Sequence, residues 1–237
     1  MTSRPRFGRK ELVILAVLAA LVPVTYLLAD SGGEQDELRE SARSSEAAKA
    51  RAAADRSLVG TQKAFLRGAT RLKLYSTTTS DLCVKGNERG VKTEKSEYRM
   101  ECRRVKHFYY GAHGTISEVL KSIDDGAAAI GSPNAGDKKT PGSLGYALMY
   151  YQSGGKGEGG SNLVYPELAA GGHKVEWDDN LQKILVEESP VPECHDSDLY
   201  CERAKIGPQG FLRSIRAAQD FVIKWSVSEV YYTLDWN

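Results

Sequence analysis

Thr115-Ile116-Ser117-Glu118-Val119-Leu120-Lys121-Ser122-Ile123-Asp124-Asp125-Gly126 is the stretch on which the fold class turns. Thr115 and Glu118 stand at capping-box spacing, where a hydroxyl and a carboxylate each satisfy a backbone N–H left open at a helix start. Ile116, Val119, Leu120 and Ile123 recur at helical spacing, and Gly126 stands where a C-cap would. The spacing predicts a helix over 115–125.

On the N-terminal side the period changes. Leu72 and Leu74 alternate with Arg71, Lys73 and Tyr75, and Thr77–Thr79 leads into Asp81-Leu82-Cys83-Val84, all strand signals. Residues 85–97 are polar, contain Gly86, Asn87 and Gly90, and read as a loop. Tyr98, Met100 and Cys102 alternate again, followed by Val105 to Tyr110. These stretches suit an antiparallel pair. The apolar parity changes near Arg103-Arg104, which reads as a bulge.

On the C-terminal side, 131–143 is a loop rich in Pro and Gly, Tyr146–Tyr151 a buried strand, and Gly154–Ser161 a flexible loop. Pro166–Ala170 reads as one helical turn. Val175 and Trp177 with Leu181–Val186 flank Asp178-Asp179-Asn180 as a hairpin. Gly210–Lys224 carries Phe211, Leu212, Ile215, Ala218, Val222 and Trp225 at helical spacing, a long amphipathic helix. Val230–Trp236 alternates as a terminal strand. Helices and strands mix without a βαβ rhythm. The expected class is therefore α+β, a mainly antiparallel sheet with two or three packed helices.

The N-terminal end sets the address. Leu12–Ala29 is 18 residues without a charge, eleven of them Leu, Ile or Val. As a helix it is roughly 27 Å long, close to the roughly 30 Å hydrocarbon thickness of a bilayer. Arg4, Arg6, Arg9 and Lys10 precede it, while Asp30, Glu34, Asp36, Glu37 and Glu40 follow against Arg39 alone. The positive flank stays in the cytoplasm and the rest crosses. The expectation is a basic cytoplasmic tail (1–11), a single transmembrane helix (12–29), a polar stalk (30–57) and an extracytoplasmic domain (58–237). A cleaved signal peptide is the rival; its apolar region is usually about 7–15 residues and ends in an A-x-A pattern that is missing here. Both readings export the chain. Residues 31–56 are rich in Ala, Glu and Arg with few large apolar side chains, so they read as a solvated helix or tether rather than a core helix.

Net charge is +1 overall, of which the first ten residues supply +4, leaving −3. That excludes nucleic acid as the expected partner, which would need a basic domain. The four cysteines, Cys83, Cys102, Cys194 and Cys201, all lie on the exported side, and their even number implies two disulfides. Of three connectivities the local pairs Cys83–Cys102 and Cys194–Cys201 are favoured. A zinc site is disfavoured because C-x-x-C spacing is absent.

Candidate chemistry is sparse. Gly155, Gly157 and Gly160 match G-x-G-x-x-G, but no helix follows to face a pyrophosphate, so a surface loop is expected. Glu193, His195, Asp196, Asp198 and Glu202 gather around the second cysteine pair without a known metal-ligand spacing and read as a solvated acidic turn. No G-x-S-x-G is present. No metal or cofactor is expected, and no catalytic residue can be named from the sequence. Three Tyr-Tyr pairs, Tyr109-Tyr110, Tyr150-Tyr151 and Tyr231-Tyr232, fall in expected strands, where neighbours point to opposite faces. If those strands adjoin, Tyr110, Tyr151 and Tyr231 make an aromatic surface for a protein or glycan partner; the alternative is that helices cover that face and bury both rings of a pair. The expected function is a membrane-anchored binding or assembly module acting on a cell-envelope component or another membrane protein. The alternative is a cell-envelope hydrolase or transferase with an unrecognised acid/base site.

Overall fold

The computed structural model describes residues 33–87, 94–132, 142–156, 162–165, 173–178, 194–206 and 210–236. They fall into two compact units, divided between Ser41 and Ala42. In the first, residues 33–41 are helical. The second carries the sheet and all that follows. The apolar run 12–29 lies outside the described residues, among which no helix is long and apolar enough to cross a membrane.

Helix α1 (Ser45–Gly68) starts where the Ser44 hydroxyl accepts from the Ala47 amide, and it carries Glu46 in its first turn and Arg67 in its last. Both charges suit the helix dipole. Strands β1 (Leu72–Lys85) and β2 (Met100–Ala112) follow as an antiparallel pair. Helix α2 (Ile116–Ala129) opens with the expected capping box, Thr115 and Glu118 each bonding the other's backbone. Then come α3 (Ser143–Gln152), β3 (Asn162–Tyr165), β4 (His173–Trp177), β5 (Tyr200–Ile206), α4 (Phe211–Ala218) and β6 (Phe221–Leu234). The six strands are ordered β3-β4-β6-β2-β1-β5, every neighbouring pair antiparallel.

The main core lies on one face of the sheet, where α1, α2 and α3 cover Phe108, Tyr110, Val175, Trp177, Ile223 and Trp225. Phe65 of α1 stacks on Trp225 at 4.3 Å between ring centroids. On the other face a smaller cluster forms under α4, with Tyr109, Val222, Phe211, Leu212 and Ile215.

Several expectations change in three dimensions. Tyr146–Tyr151 belongs to helix α3, not to a strand. A short uncharged apolar run fits either period, and here Ala147 and Tyr150 bury together as i and i+3 while Leu144, Leu148 and Tyr151 pack beside them. The expected long helix 210–224 stops at Ala218, and β6 begins at Phe221. Its residues satisfy period two as well, with Phe221, Ile223, Trp225 and Val227 buried, and the β-branched and aromatic content favours the strand. The terminal strand is thus longer than expected and ends before Trp236.

The stalk boundary at residue 57 also gives way. Helix α1 runs through it, and Ala47 and Ala54 are as buried as Leu58 and Phe65. Few large apolar residues did not keep the whole of 45–57 in solvent: one face of it is covered, where the alanines allow close approach and Arg51 and Asp55 make ionic and cation–π contacts. The parity change in β2 is not a change of face. Met100, Cys102, Phe108, Tyr110 and Ala112 all bury, and Arg104 and Lys106 hold the positions between them on the same side. The register does shift there, but the extra residue is Tyr231 of β6. The expected partner strand 181–186, the turn 166–170 and most of the glycine motif fall outside the described residues.

Gly126 does not end its helix. It and Gly68 mark where α1 and α2 cross. A methyl group on Gly68 would stand 2.2 Å from the Asp125 carbonyl oxygen. In an ordinary helix Gly→Ala stabilises by about 1 kcal/mol. Here the clash is with backbone, and Gly68→Ala is expected to lower stability by about 1–3 kcal/mol in a urea melt; any gain in stability would show that the crossing is looser than this.

Candidate functional site

Two polar clusters lie on the two faces of the sheet. The first is a seam beneath α1. Asp81 of β1 is 1% exposed. Its Oδ2 takes Arg104 Nη1 at 2.8 Å and Arg51 Nε at 3.2 Å, and the Tyr231 hydroxyl donates to Oδ1 at 2.6 Å. Asp55 of α1 holds Arg104 Nη2 and Lys106 Nζ, each at 2.8 Å. Lys106 also reaches Thr79 Oγ1 at 3.4 Å. Burial works against ionised Asp55, but its bonds to Lys106 and Arg104 prevail and hold its carboxyl below the usual range. Burial likewise opposes charged Arg104, and bonds to Asp81 and Asp55 outweigh it, raising its pKa. Burial and the neighbouring Asp81 raise that of the Tyr231 hydroxyl. The seam sets three cations against two carboxylates, and the third, Arg51, lies over the Tyr200 ring at 3.8 Å, a cation–π contact. With both Asp81 oxygens taken, it reads as a clamp holding α1 on the sheet rather than a reaction centre.

The disulfides Cys83–Cys102 and Cys194–Cys201 are both formed, which leaves no free cysteine. Cys83 and Cys102 face each other across β1 and β2, are fully buried, and lie beside Tyr231, whose hydroxyl is 3.6 Å from Cys83 Sγ. The acidic turn closes on itself, since Asp198 Oδ2 accepts from the His195 amide at 2.7 Å and the Tyr200 hydroxyl bonds Glu202. Among the described residues no three His, Cys, Asp or Glu side chains gather as metal ligands.

The tyrosines do not make one exposed surface. Tyr110 is fully buried under the helices, and burial raises its pKa. Tyr151 lies on helix α3 and accepts from Trp177 Nε1 at 2.7 Å. Tyr231 is half-buried in the seam. Tyr109 is buried on the opposite face under α4, so both rings of that pair are covered, as in the second of the two expected arrangements.

The second cluster lies on that opposite face, beyond α4. Strand neighbours alternate, so His107 shares the face of Tyr109. Register places Thr78 and Ser226 on either side of His107, Ser80 and Ser228 beside Val105, and Leu82 and Val230 beside Arg103. His107 Nδ1 lies 2.8 Å from Ser226 Oγ. Burial and then the Lys224 ammonium lower the His107 pKa to about 4, with Glu176 opposing. Glu176 bonds Lys174 at 2.7 Å and Lys224 at 2.9 Å; burial works against its charge, but these bonds keep its pKa low. The Thr78 hydroxyl is buried without a hydrogen-bond partner among the described residues. A Ser-His pair suggests a nucleophile with its base, but an efficient base has a pKa near the working pH, and this imidazole falls well short.

Sequence reasoning missed both clusters, though a signal existed. Asp81, Arg104 and Lys106 each sit in phase with buried neighbours along their strands. Among the described residues, recesses at the β1–β2 turn and beside Arg71 and Glu118 measure about 220 and 150 Å³, below the roughly 300–1,000 Å³ of small-molecule sites. No protein-family model matches the chain, and neither a curated protein nor a solved structure matches it.

Proposed function

We propose that this is a membrane-tethered extracytoplasmic module that binds a cell-envelope component or another membrane protein, and that it does so through the sheet face opposite α1. The observation that carries this is the state of that face. Thr78 keeps an unused hydroxyl there, and Arg103, Val105, Ser226, Ser228 and Val230 are half-buried rather than covered as on the helix side. The paired cysteines support export, because disulfides persist in oxidising compartments. The uncharged run 12–29 and its basic flank support the tether, N-terminus in the cytoplasm.

A photo-crosslinking residue at Arg203 or Ser228, on the proposed face, is expected to capture a partner in intact cells, while one at Lys121 of α2 is not. Equal capture from both faces would overturn the surface. The address has its own readout. Added protease is expected to reach the domain in cells stripped of their outer layers, and thiol reagents to label nothing until a reductant is added. Mild reductant then exposes Cys194 and Cys201 first, since Cys194 is exposed and the other pair is fully buried. Thiols that react at once would place the chain elsewhere. Turnover of a wall substrate by the purified protein, abolished in Ser226→Ala, would put the hydrolase or transferase reading first.

A further inference from the structure

We infer that the row Thr78, His107 and Ser226, flanked by Lys224 and Arg203, binds an oxyanion: a phosphate or carboxylate group carried by the ligand. This rests on the proposed binding role of the same face and names the chemistry it recognises. Thr78 is 2% exposed, and its Oγ1 has no partner among the described residues. A buried hydroxyl in that state lowers stability unless something bonds it. It points to the face that also carries His107, its direct partner across β1 and β2. In the tautomer whose Nδ1 takes the Ser226 hydroxyl, the one proton of the neutral ring sits on Nε2, where a ligand can accept it.

Charge selects the kind of ligand. Register and alternation put Lys174, Lys224, Arg103 and Arg203 on this face against Glu101 and Glu176. Around the row cations thus outnumber carboxylates, on a chain that carries −3 beyond its first ten residues, and Lys73, across from Gly111 on the same face, adds to that sign. Glu101 holds Arg103 at 2.8 Å, and Glu176 holds both lysines. Arg203 is exposed. A cation would meet net repulsion. An uncharged sugar would lack an aromatic platform, because Tyr109, the ring on this row's strand, is fully buried beneath α4. An anionic oxygen meets donors from Thr78 and His107, and the field of Lys224 and Arg203.

The test uses the full chain in detergent micelles, with the His107 imidazole followed by NMR and assigned through His107→Gln. Inorganic phosphate is expected to shift the His107 signal saturably and to move its titration midpoint upward by about one pH unit, as an adjacent anion favours the charged ring. Thr78→Val is expected to weaken phosphate binding about tenfold. Because it removes an unpaired hydroxyl, its melting temperature should hold or rise, which separates lost binding from lost folding. Arg203→Gln is expected to weaken binding severalfold, the deficit shrinking as salt is added. Titrations with glycerol 3-phosphate and with phosphatidylglycerol-doped micelles tell a soluble source from a lipid headgroup. A response that never saturates, or that Thr78→Val leaves unchanged, overturns the site. Partner capture in cells without phosphate binding would sink the oxyanion and leave the module reading standing; phosphate binding without any capture would do the reverse.

Discussion

Lowering the pH from 7 to 4.5 is expected to remove roughly 3.5 kcal/mol of folding stability, most of it through His173 and the rest through His107. Both imidazoles have pKa values lowered to about 4; an unfolded histidine titrates near 6.5. Between those values the unfolded chain binds more protons than the folded one. Stability is therefore complete above pH 6.5 and falls as acid approaches 4. A fully buried site shifted this far contributes about 2.5 kcal/mol over that window. His173 meets the condition, being 4% exposed. Burial depresses its pKa, and Trp225 Nε1 donates to its Nδ1 at 2.5 Å. A proton on Nδ1 would set two N–H groups against each other beneath the main core. His107 is half-buried, and solvent reduces its share to about 1 kcal/mol. The carboxylates held low, Asp55, Glu118, Glu176 and Asp220, add to the loss only at the acid end of this window, where the unfolded chain's carboxyls begin to take up protons. Urea melts at pH 7 and 4.5 measure the drop. His173→Gln is expected to flatten most of it; a variant as acid-sensitive as the parent would show that His173 is not the origin.

Removing the Asp81 carboxylate is expected to cost about 3–5 kcal/mol, because Asp81→Ala leaves Arg51, Arg104 and the Tyr231 hydroxyl without their shared acceptor. The two arginine side chains are each 14% exposed, too buried for water to replace the bond in full. Asp81→Asn keeps the shape and one acceptor and should lose less. The seam is expected to behave as one unit. Arg104→Met in the Asp81→Ala background should restore part of the loss, since Asp55 would then be the one carboxylate left to the seam's three cations, and an apolar side chain of similar size removes one of them. Hydrogen exchange would locate the damage, with the amides of the N-terminal half of α1 losing protection before those of β2 and β6. A loss below 1 kcal/mol would mean that alanine packing alone holds the helix and the ions are incidental.

That seam also shows why one part of the molecule was legible and another was not. The capping box and the spacing of Val119, Leu120 and Ile123 fixed α2 from twelve consecutive residues, because a helix satisfies its own backbone locally. The antiparallel β1–β2 pair and both cysteine pairings were legible for a related reason, each joining nearby stretches. The boundary between α4 and β6 was not, since the apolar residues there fit both periods and only the pairing of β6 with β2 and β4 chooses between them. The tyrosine surface failed on the same ground. Whether Tyr110 faces water or a core depends on α1 and α2 landing above it.

By itself, then, the sequence determined the α+β class and the capped helix, and it favoured the cross-strand cysteine pair. These follow from period, caps and short-range pairing, all written in adjacent residues. Only the tertiary structure decided that Arg104, Lys106, Asp55 and Asp81 are interior, and that Thr78, His107 and Ser226 form one row. A charged or hydroxylic side chain is placed by the group that meets it. For Arg104 that group lies 23 and 49 residues away in sequence, and for Tyr231 it lies 150.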